Sequence, residues 1–347
     1  MPLKVAIVTP RLHGIGGVAQ HTRKLAKWLK KRGHSVEVVT APYLPVKNLS
    51  NPSALVTLAT KVLAKRIARK LEADIVHIHH IMFYLAGKMS GKPIVLTLHG
   101  DVLKQYSMLH PWAKSLVKMV EKTAVMGSDR ITAVSPLIAE RYMRRYGKDV
   151  YYVPNAIDLA DIPMDHDYKD EKTVVYLGRL SFEKGIDILL KTAKILDKLR
   201  PEIKIVVVGD GPLRNEVISY SQKYNNIIYL GFRPRTEALR ILSRSTILVL
   251  PSRAEGFPTV ILEAFACRTV VVAVRIPEIR ALFTENEVAF VNMNPIDIAN
   301  AIQYLIDNHL MRKRLAMNAY NILLTRYTWG RVVNEYIKVY HNATRHT

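Results

Sequence analysis

Cysteine is almost absent from this chain, with Cys267 the only one among 347 residues. A lone cysteine excludes an intramolecular disulfide framework and a CxxC metal site. Long apolar runs are missing too: none approaches the roughly 18 to 20 residues needed to cross a bilayer. Acidic residues are few, 29 Asp and Glu against 51 Lys and Arg, and the formal net charge is +22. A field of that size draws anionic partners. No recognised nucleic-acid motif accompanies it, so no specific nucleic-acid partner is expected. The opening residues MPLKVAIVTP enter a strand directly and lack the ordered regions of a signal peptide, which makes the cytoplasm the expected address.

The chain is 49% hydrophobic and 23% charged, a globular composition at a length that suits two domains better than one core. Short runs rich in Val and Ile alternate with helical patterns. Strands are expected at Lys4–Thr9, Ser35–Thr40, Asp74–His79, Ile94–His99, Arg130–Val134 and Val150–Pro154. A second series is expected at Thr173–Gly178, Lys204–Gly209, Ile227–Gly231, Ile247–Pro251, Val270–Val274 and Val288–Val291. Between them, Asp158–Lys172 (DLADIPMDHDYKDEK) holds no apolar periodicity and reads as a linker. The alternation predicts an α/β fold with two doubly wound parallel sheets, one per domain.

Three loops of the second series carry chemistry. Glu255 and Glu263 stand in PSRAEGFPTVILEA with seven residues between them. Ile247–Pro251 reads as a buried strand and Pro258 suits a first helical turn. Glu255 therefore falls on a loop and Glu263 about a turn and a half into a helix. The free N–H groups near Phe257 to Val260 form an anion site between the two carboxylates. Taken alone, the pair also fits one surface glutamate and another on a solvated helix face. Val174–Gly185 places Arg179 and Lys184 where a strand ends, and Ile205–Pro212 closes in a turn at Gly209 and Gly211. Glycine there lets backbone pass close to a ligand, or to a packed neighbour. Open parallel sheets bind ligands at the carboxyl ends of their strands, so these loops are expected at one edge. Two cations, an anion-binding helix start and two carboxylates would then gather there.

The runs GGVAQHTRKLAKWLKKRGHSVEVVT, DIVHIHH, LTLHGD, ITAVSP, VPNAIDL, LGRLSFEKGID, VVVGDGP and AEGFPTVILEAFA occur in this order over residues 4 to about 290. This ordered set resembles the retaining glycosyltransferases of family 4, whose GT-B architecture has two Rossmann-like domains facing across a cleft. The resemblance implies an acceptor-side domain at 1–160, a nucleotide-sugar-binding domain at 161–328, and a last helix, about 329–342, that returns to the first. It implies a hexosyltransferase-type enzyme moving a sugar from a nucleotide-diphosphate sugar to an acceptor hydroxyl, with retention, without metal and with no cofactor beyond the donor. In that pattern Glu263 holds the ribose hydroxyls and Glu255 the donor sugar. The diphosphate rests on Arg179, Lys184 and the amides near 257–260, with Gly209 and Gly211 beside the nucleotide. Gly16 and Gly17 bring amides to the donor phosphate, and His99 touches the donor sugar, with Asp101 a weaker candidate. The leaving phosphate oxygen helps deprotonate the incoming hydroxyl on the same face.

The chain departs from the pattern in two places. Arg268 follows Ala266-Cys267 where the family has Gly, and Arg275 stands in VAVRIPE where it has Gly-Gly. Both are expected to narrow or reshape the donor pocket. Asp165-His166-Asp167 spells the Asp-x-Asp of metal-dependent glycosyltransferases but sits in the linker, so it reads as solvated charge. His77 and His79 share a strand face in a His-x-His pattern that can hold zinc, and no third ligand is apparent nearby.

Charge is concentrated in the first half: residues 1–160 hold 25 Lys and Arg against 9 Asp and Glu, a net +16, and the remaining 26 against 20 leave +6. Ala54–Leu71 and Leu109–Val120 read as basic amphipathic helices. The first carries Lys61, Lys65, Arg66, Arg69 and Lys70; the second carries Trp112, Lys114 and Lys118. Such helices suit an anionic membrane surface as well as ordinary solvated faces. A lipid-linked or membrane-borne acceptor, with peripheral attachment at the inner face of the cell membrane, is the corresponding expectation. Another GT-B enzyme (a nucleotide-sugar epimerase or phosphorylase) and a silent membrane- or nucleic-acid-binding protein remain the alternatives.

Overall fold

The computed structural model describes residues 1–10, 17–40, 64, 72–103, 114–163 and 170–345. The chain divides into two compact units, Met1–Ala156 with Trp329–Thr347, and Ile157–Thr328. Among the described residues no helix is long and apolar enough to cross a membrane.

The first unit holds β1 (Lys4–Thr9), β2 (Ser35–Thr40), β3 (Ile75–Ile78), β4 (Ile94–Leu98), β5 (Arg130–Ala133) and β6 (Tyr151–Tyr152). They form one sheet in the order β2-β1-β3-β4-β5-β6, with every pairing parallel. β3 and β4 are buried at every residue, as strands covered on both faces must be. The winding reverses between β1 and β3, which puts a binding crevice at their carboxyl ends. The helix Trp329–Thr344 buries Trp329, Val332, Val333, Tyr336, Val339, Tyr340 and Ala343, a single stripe at spacings of three and four. It packs on the helix Gly17–Lys31 and on β4. The end of the chain thus completes the first unit's core.

The second unit holds β7 (Asp170–Leu177), β8 (Lys204–Val208), β9 (Ile227–Gly231), β10 (Ser245–Leu250), β11 (Val270–Val274) and β12 (Val288–Val291). The order is β12-β11-β10-β7-β8-β9, again parallel throughout. β10 and β11 are buried along their whole length. Neighbours β7 and β10 start the two opposite windings, so the crevice of this sheet opens where they end.

All twelve expected strands are present, several ending a residue or two early because their last residues turn into the carboxyl-end loops. The linker expectation needs correcting. β7 begins at Asp170, and Asp170–Lys172, the last three residues of the expected linker, already belong to the strand. They are exposed, so they carry no apolar signal, yet Asp170 is in register with Ser245 of β10. The Asp165-His166-Asp167 triplet lies outside the described residues.

Candidate active site

The loops after β7, β8 and β10 are tied together by backbone contacts, which explains their glycines. The Leu180 N–H donates to the Asp210 carbonyl at 2.9 Å, and the Leu213 N–H to the Leu180 carbonyl at 2.9 Å. At Gly209 the backbone has φ 148° and a Cβ would lie 1.8 Å from the Gly178 carbonyl oxygen. At Gly211 a Cβ would lie 2.4 Å from the Leu180 oxygen. Loop-on-loop packing alone therefore demands both glycines. Gly185, with φ 73°, caps the next helix and leaves no room for a Cβ, which would fall 1.9 Å from the Pro251 oxygen. Arg253 locks the same junction. Its guanidinium takes Asp187 with both ends, at 2.7 and 2.8 Å, and lies 3.7 Å over the Phe182 ring.

On this frame stand the expected donor residues. Lys184 Nζ pairs with Glu255 Oε2 at 2.7 Å, the lysine 27% and the carboxylate 7% exposed. The cation and carboxylate assigned to different parts of a donor thus hold each other. Arg179 is exposed at the end of β7 and has no ion pair among the described residues. Its carbonyl accepts the Tyr176 hydroxyl at 2.9 Å, which fixes the loop without engaging the guanidinium.

The helix Thr259–Ala266 begins after Pro258, which supplies no side-chain cap. The amides of Thr259 and Val260 are therefore among the uncapped donors of its first turn. Phe257 is half-buried, its ring edge-on to Tyr327 at 6.2 Å. Glu263 is buried and ion-paired through Oε1 to Arg235 Nη1. Burial raises the carboxyl pKa above its ordinary value, and Arg235 opposes that rise. Arg235, which begins the helix Arg235–Arg244, escaped the sequence reading. The basic run after β9 in GFRPRTEA was the available signal, because it too follows a strand end.

The first unit gathers four histidines beneath the ends of β3 and β4. His77 shares hydrogen bonds with the Tyr340 hydroxyl at 2.8 Å and with Thr97 Oγ1 at 2.6 Å. His21 shares one with Asn155 Oδ1 at 2.8 Å and one with the Tyr336 hydroxyl at 3.1 Å. His79 Nδ1 and His99 Nε2 are 2.9 Å apart, with their rings stacked at 5.2 Å. Burial drives all four towards the neutral form, His21 down to about 4 and His77 to about 3. His79 and His99 fall well below 6.5 through burial first and neighbouring rings second. Among the described residues no group of three or more His, Cys, Asp and Glu could hold a metal ion. His99 stays partly exposed and His79 is fully covered, so only His99 can meet a ligand. Asp101 is committed elsewhere: Arg141 at 3.1 Å and Arg145 at 2.9 Å hold it. Arg145 also reaches buried Glu121 at 2.8 Å.

Gly17 opens the helix Gly17–Lys31, and a Cβ there would meet nothing within 4 Å, so packing does not require the glycine. Gly16 lies outside the described residues, as do Trp112 and all of Ala54–Leu71 but Ala64. Residues 109–113 of the second basic segment all lie outside the described residues, and its remainder from Lys114 enters the helix Lys114–Gly127, where Lys114, Lys118, Met119, Lys122 and Met126 are exposed. The expectation that Arg268 narrows the donor pocket is overturned. The helix Thr259–Ala266 carries the chain back to the amino edge of the sheet, where β11 starts at Val270. Arg268 sits there with φ 52°, its guanidinium 4.7 Å over Tyr320. Arg275 does follow the carboxyl end of β11, but it pairs with Glu285 at 3.0 Å. It lines a cavity of about 310 Å³ with Phe290, Val291, Asn292, Asp297 and Asn300.

Comparison with known proteins agrees with this geometry. The family model Glycosyltransferase Family 4 matches residues 15–161, and Glycosyl transferases group 1 matches residues 162–322. The chain is 25% identical to an uncharacterised glycosyltransferase of Methanocaldococcus jannaschii, over 97% of this chain and 98% of that one. It is 26% identical to the phosphatidyl-myo-inositol mannosyltransferase of Mycobacterium tuberculosis, over 97% and 96% of the two chains. Among solved structures, Anabaena HepE in complex with UDP and glucose aligns at a TM-score of 0.74 and 19% identity, covering 97% of this chain and 98% of that one. Two family models running from residue 15 to residue 322, on two parallel doubly wound sheets, identify the chain as a glycosyltransferase with the GT-B fold.

Proposed function

We propose that this chain transfers a hexosyl unit from a nucleotide-diphosphate sugar to an acceptor hydroxyl, with retention of anomeric configuration and without metal or further cofactor. The observation that carries the reading is that Arg179, the Lys184–Glu255 pair and the Arg235–Glu263 pair all stand on segments that follow the carboxyl ends of β7, β9 and β10. A leaving diphosphate needs positive charge where negative charge develops. Arg179 offers an exposed guanidinium, and Lys184 turns from Glu255 to the phosphates when a donor enters. Glu255 is thereby released towards the sugar hydroxyls. Uncapped amides at Thr259 and Val260 add donors to the phosphate, while Glu263 accepts from the ribose. Gly209 and Gly211 lie beside the nucleotide, and Gly16 and Gly17 serve the donor phosphate. His99, neutral and partly exposed, donates or accepts one hydrogen bond at the donor sugar. The C1–O bond to the phosphate breaks as the acceptor oxygen bonds C1 on the same face, and the acceptor proton passes to the departing phosphate oxygen. UDP bound to HepE supports a nucleoside diphosphate leaving group.

The acceptor is lipid-linked or membrane-borne and anionic. The support is the +16 carried by residues 1–160 and the basic, methionine-bearing face of the helix Lys114–Gly127. The name of the mycobacterial relative points the same way. The protein then works in the cytoplasm, peripheral to the inner face of the cell membrane. A thermal-shift panel of UDP, GDP, ADP and their sugars tests the donor, followed by transfer assayed in chelator. Stabilisation by one nucleotide series and activity undiminished by chelator are expected. A flat panel, or activity abolished by chelator, refutes the reading.

A further inference from the structure

A carboxyl group closed off from water loses the solvation that stabilises its charge, and its proton is held more tightly. Glu263 is in that position: buried within the helix Thr259–Ala266, with its pKa raised by burial. Asp161 adds to the rise, and Arg235 alone opposes it. On the helix that carries Arg235, Glu237 is engaged by Arg233 at 3.2 Å and is not available to compete. Arg235 Nη1 meets Oε1 of Glu263, and among the described residues Oε2 accepts no hydrogen bond. The Arg235 side chain is 35% exposed and that of Glu263 11%, so one edge of the pair is open to solvent and to a ligand.

The chemistry of that edge is specific. Each hydroxyl of a vicinal diol both donates and accepts. An ionised carboxylate only accepts, and a guanidinium only donates. A carboxylate oxygen beside free guanidinium N–H groups therefore matches a cis-diol, whereas a protonated carboxyl presents a donor where the diol also needs an acceptor. We propose that Arg235 is a positioning residue of the nucleotide subsite, which keeps Glu263 a carboxylate and turns its second oxygen to the ribose diol. This rests on the reading of Glu263 as the ribose-binding residue. Arginine suits the role better than lysine, because its planar fork fixes the carboxylate's direction as well as its charge.

The test uses the full chain, its Arg235→Met and Arg235→Lys variants, and Glu263→Gln to assign the Glu263 signal. Selective 13C-carboxyl labelling of glutamate reads the Glu263 titration directly. Calorimetry reads binding of UDP, GDP and ADP and their 2′-deoxy forms at pH 6, 7 and 8.5. In Arg235→Met the Glu263 midpoint is expected to rise by at least about one pH unit. The nucleotide that the wild type prefers should bind at least about tenfold more weakly at pH 7, with part of the loss recovered at pH 8.5. Preference for the ribose over the 2′-deoxy form should collapse. Arg235→Lys should hold the midpoint near that of the wild type while regaining only part of the affinity. A midpoint unmoved in Arg235→Met, or unchanged affinity and diol preference in that variant, overturns the proposal. A wild type that binds none of the three diphosphates overturns the ribose reading instead, and the carboxyl titration still decides whether Arg235 governs the charge of Glu263.

Discussion

Acid should unfold the first unit through its buried histidines, by an amount that follows from their environment. Burial lowers the pKa of His21 to about 4 and of His77 to about 3, from the ordinary 6.5. A histidine depressed in the folded state contributes stability that is intact above the unfolded pKa and lost as pH falls towards the folded one. At pH 5 the unfolded chain has protonated each ring and the folded chain has not. The gap of about 1.5 units at about 1.36 kcal/mol per unit makes about 2 kcal/mol per histidine. His21 and His77 together should therefore remove about 4 kcal/mol between pH 7 and pH 5, against a total of about 5–15 kcal/mol for a typical domain. His79 and His99 shift in the same direction and add to the loss. All three tryptophans, Trp28, Trp112 and Trp329, fall in the sequence span of the first unit, so urea unfolding followed by tryptophan fluorescence reports on it alone. In His77→Gln the acid loss should shrink by about 2 kcal/mol, even though the variant starts less stable at pH 7. Equal unfolding free energies at pH 7 and pH 5, or ring carbons of His21 and His77 titrating near 6.5, would refute the reasoning.

Replacing Arg179 or Lys184 with Ala should slow turnover by about two or more orders of magnitude, the cost of losing one positioned charge at a developing anion; full activity in Lys184→Ala would remove the diphosphate role. Glu263→Ala should weaken bare nucleotide binding, whereas Glu255→Ala should spare it and depress transfer and nucleotide-sugar affinity. Calorimetry with both ligands separates them, and equal loss of nucleotide affinity would show the assignment to be wrong. Gly209→Ala should destabilise the second unit by about 1–3 kcal/mol or more through collision with the Gly178 carbonyl. Chemical denaturation measures it, and a neutral effect would mean that the loop yields. The protein should sediment with anionic vesicles, release in salt, and bind less once Lys114, Lys118 and Lys122 are neutralised. Equal binding to neutral vesicles would return that helix to an ordinary solvated face.

What the sequence alone determined is the strand framework and the position of each loop along it. Buried parallel strands need continuous apolar runs such as ILVL and VVVAV, and the chemistry-bearing residues Arg179, Lys184 and Glu255 follow those runs directly. Strand order, which no local pattern contains, decided the rest. The helices Arg235–Arg244 and Thr259–Ala266 contact each other beside β10, and so Arg235 meets Glu263 across 28 residues of sequence. The loops of β7 and β10 adjoin because those strands pair, which turns Lys184 and Glu255 from independent candidates into partners. The histidines of DIVHIHH are visible as a pattern, but the burial that keeps His77 neutral is completed by a helix that begins 250 residues after His79 at Trp329 and lays Tyr336 and Tyr340 against its ring. Arg268 shows the converse error. Its place in a family motif suggested the pocket, and the eight-residue helix Thr259–Ala266 had already carried the chain to the opposite edge of the sheet. Local patterning sets which face of an element is buried, and only tertiary structure sets what that face is buried against.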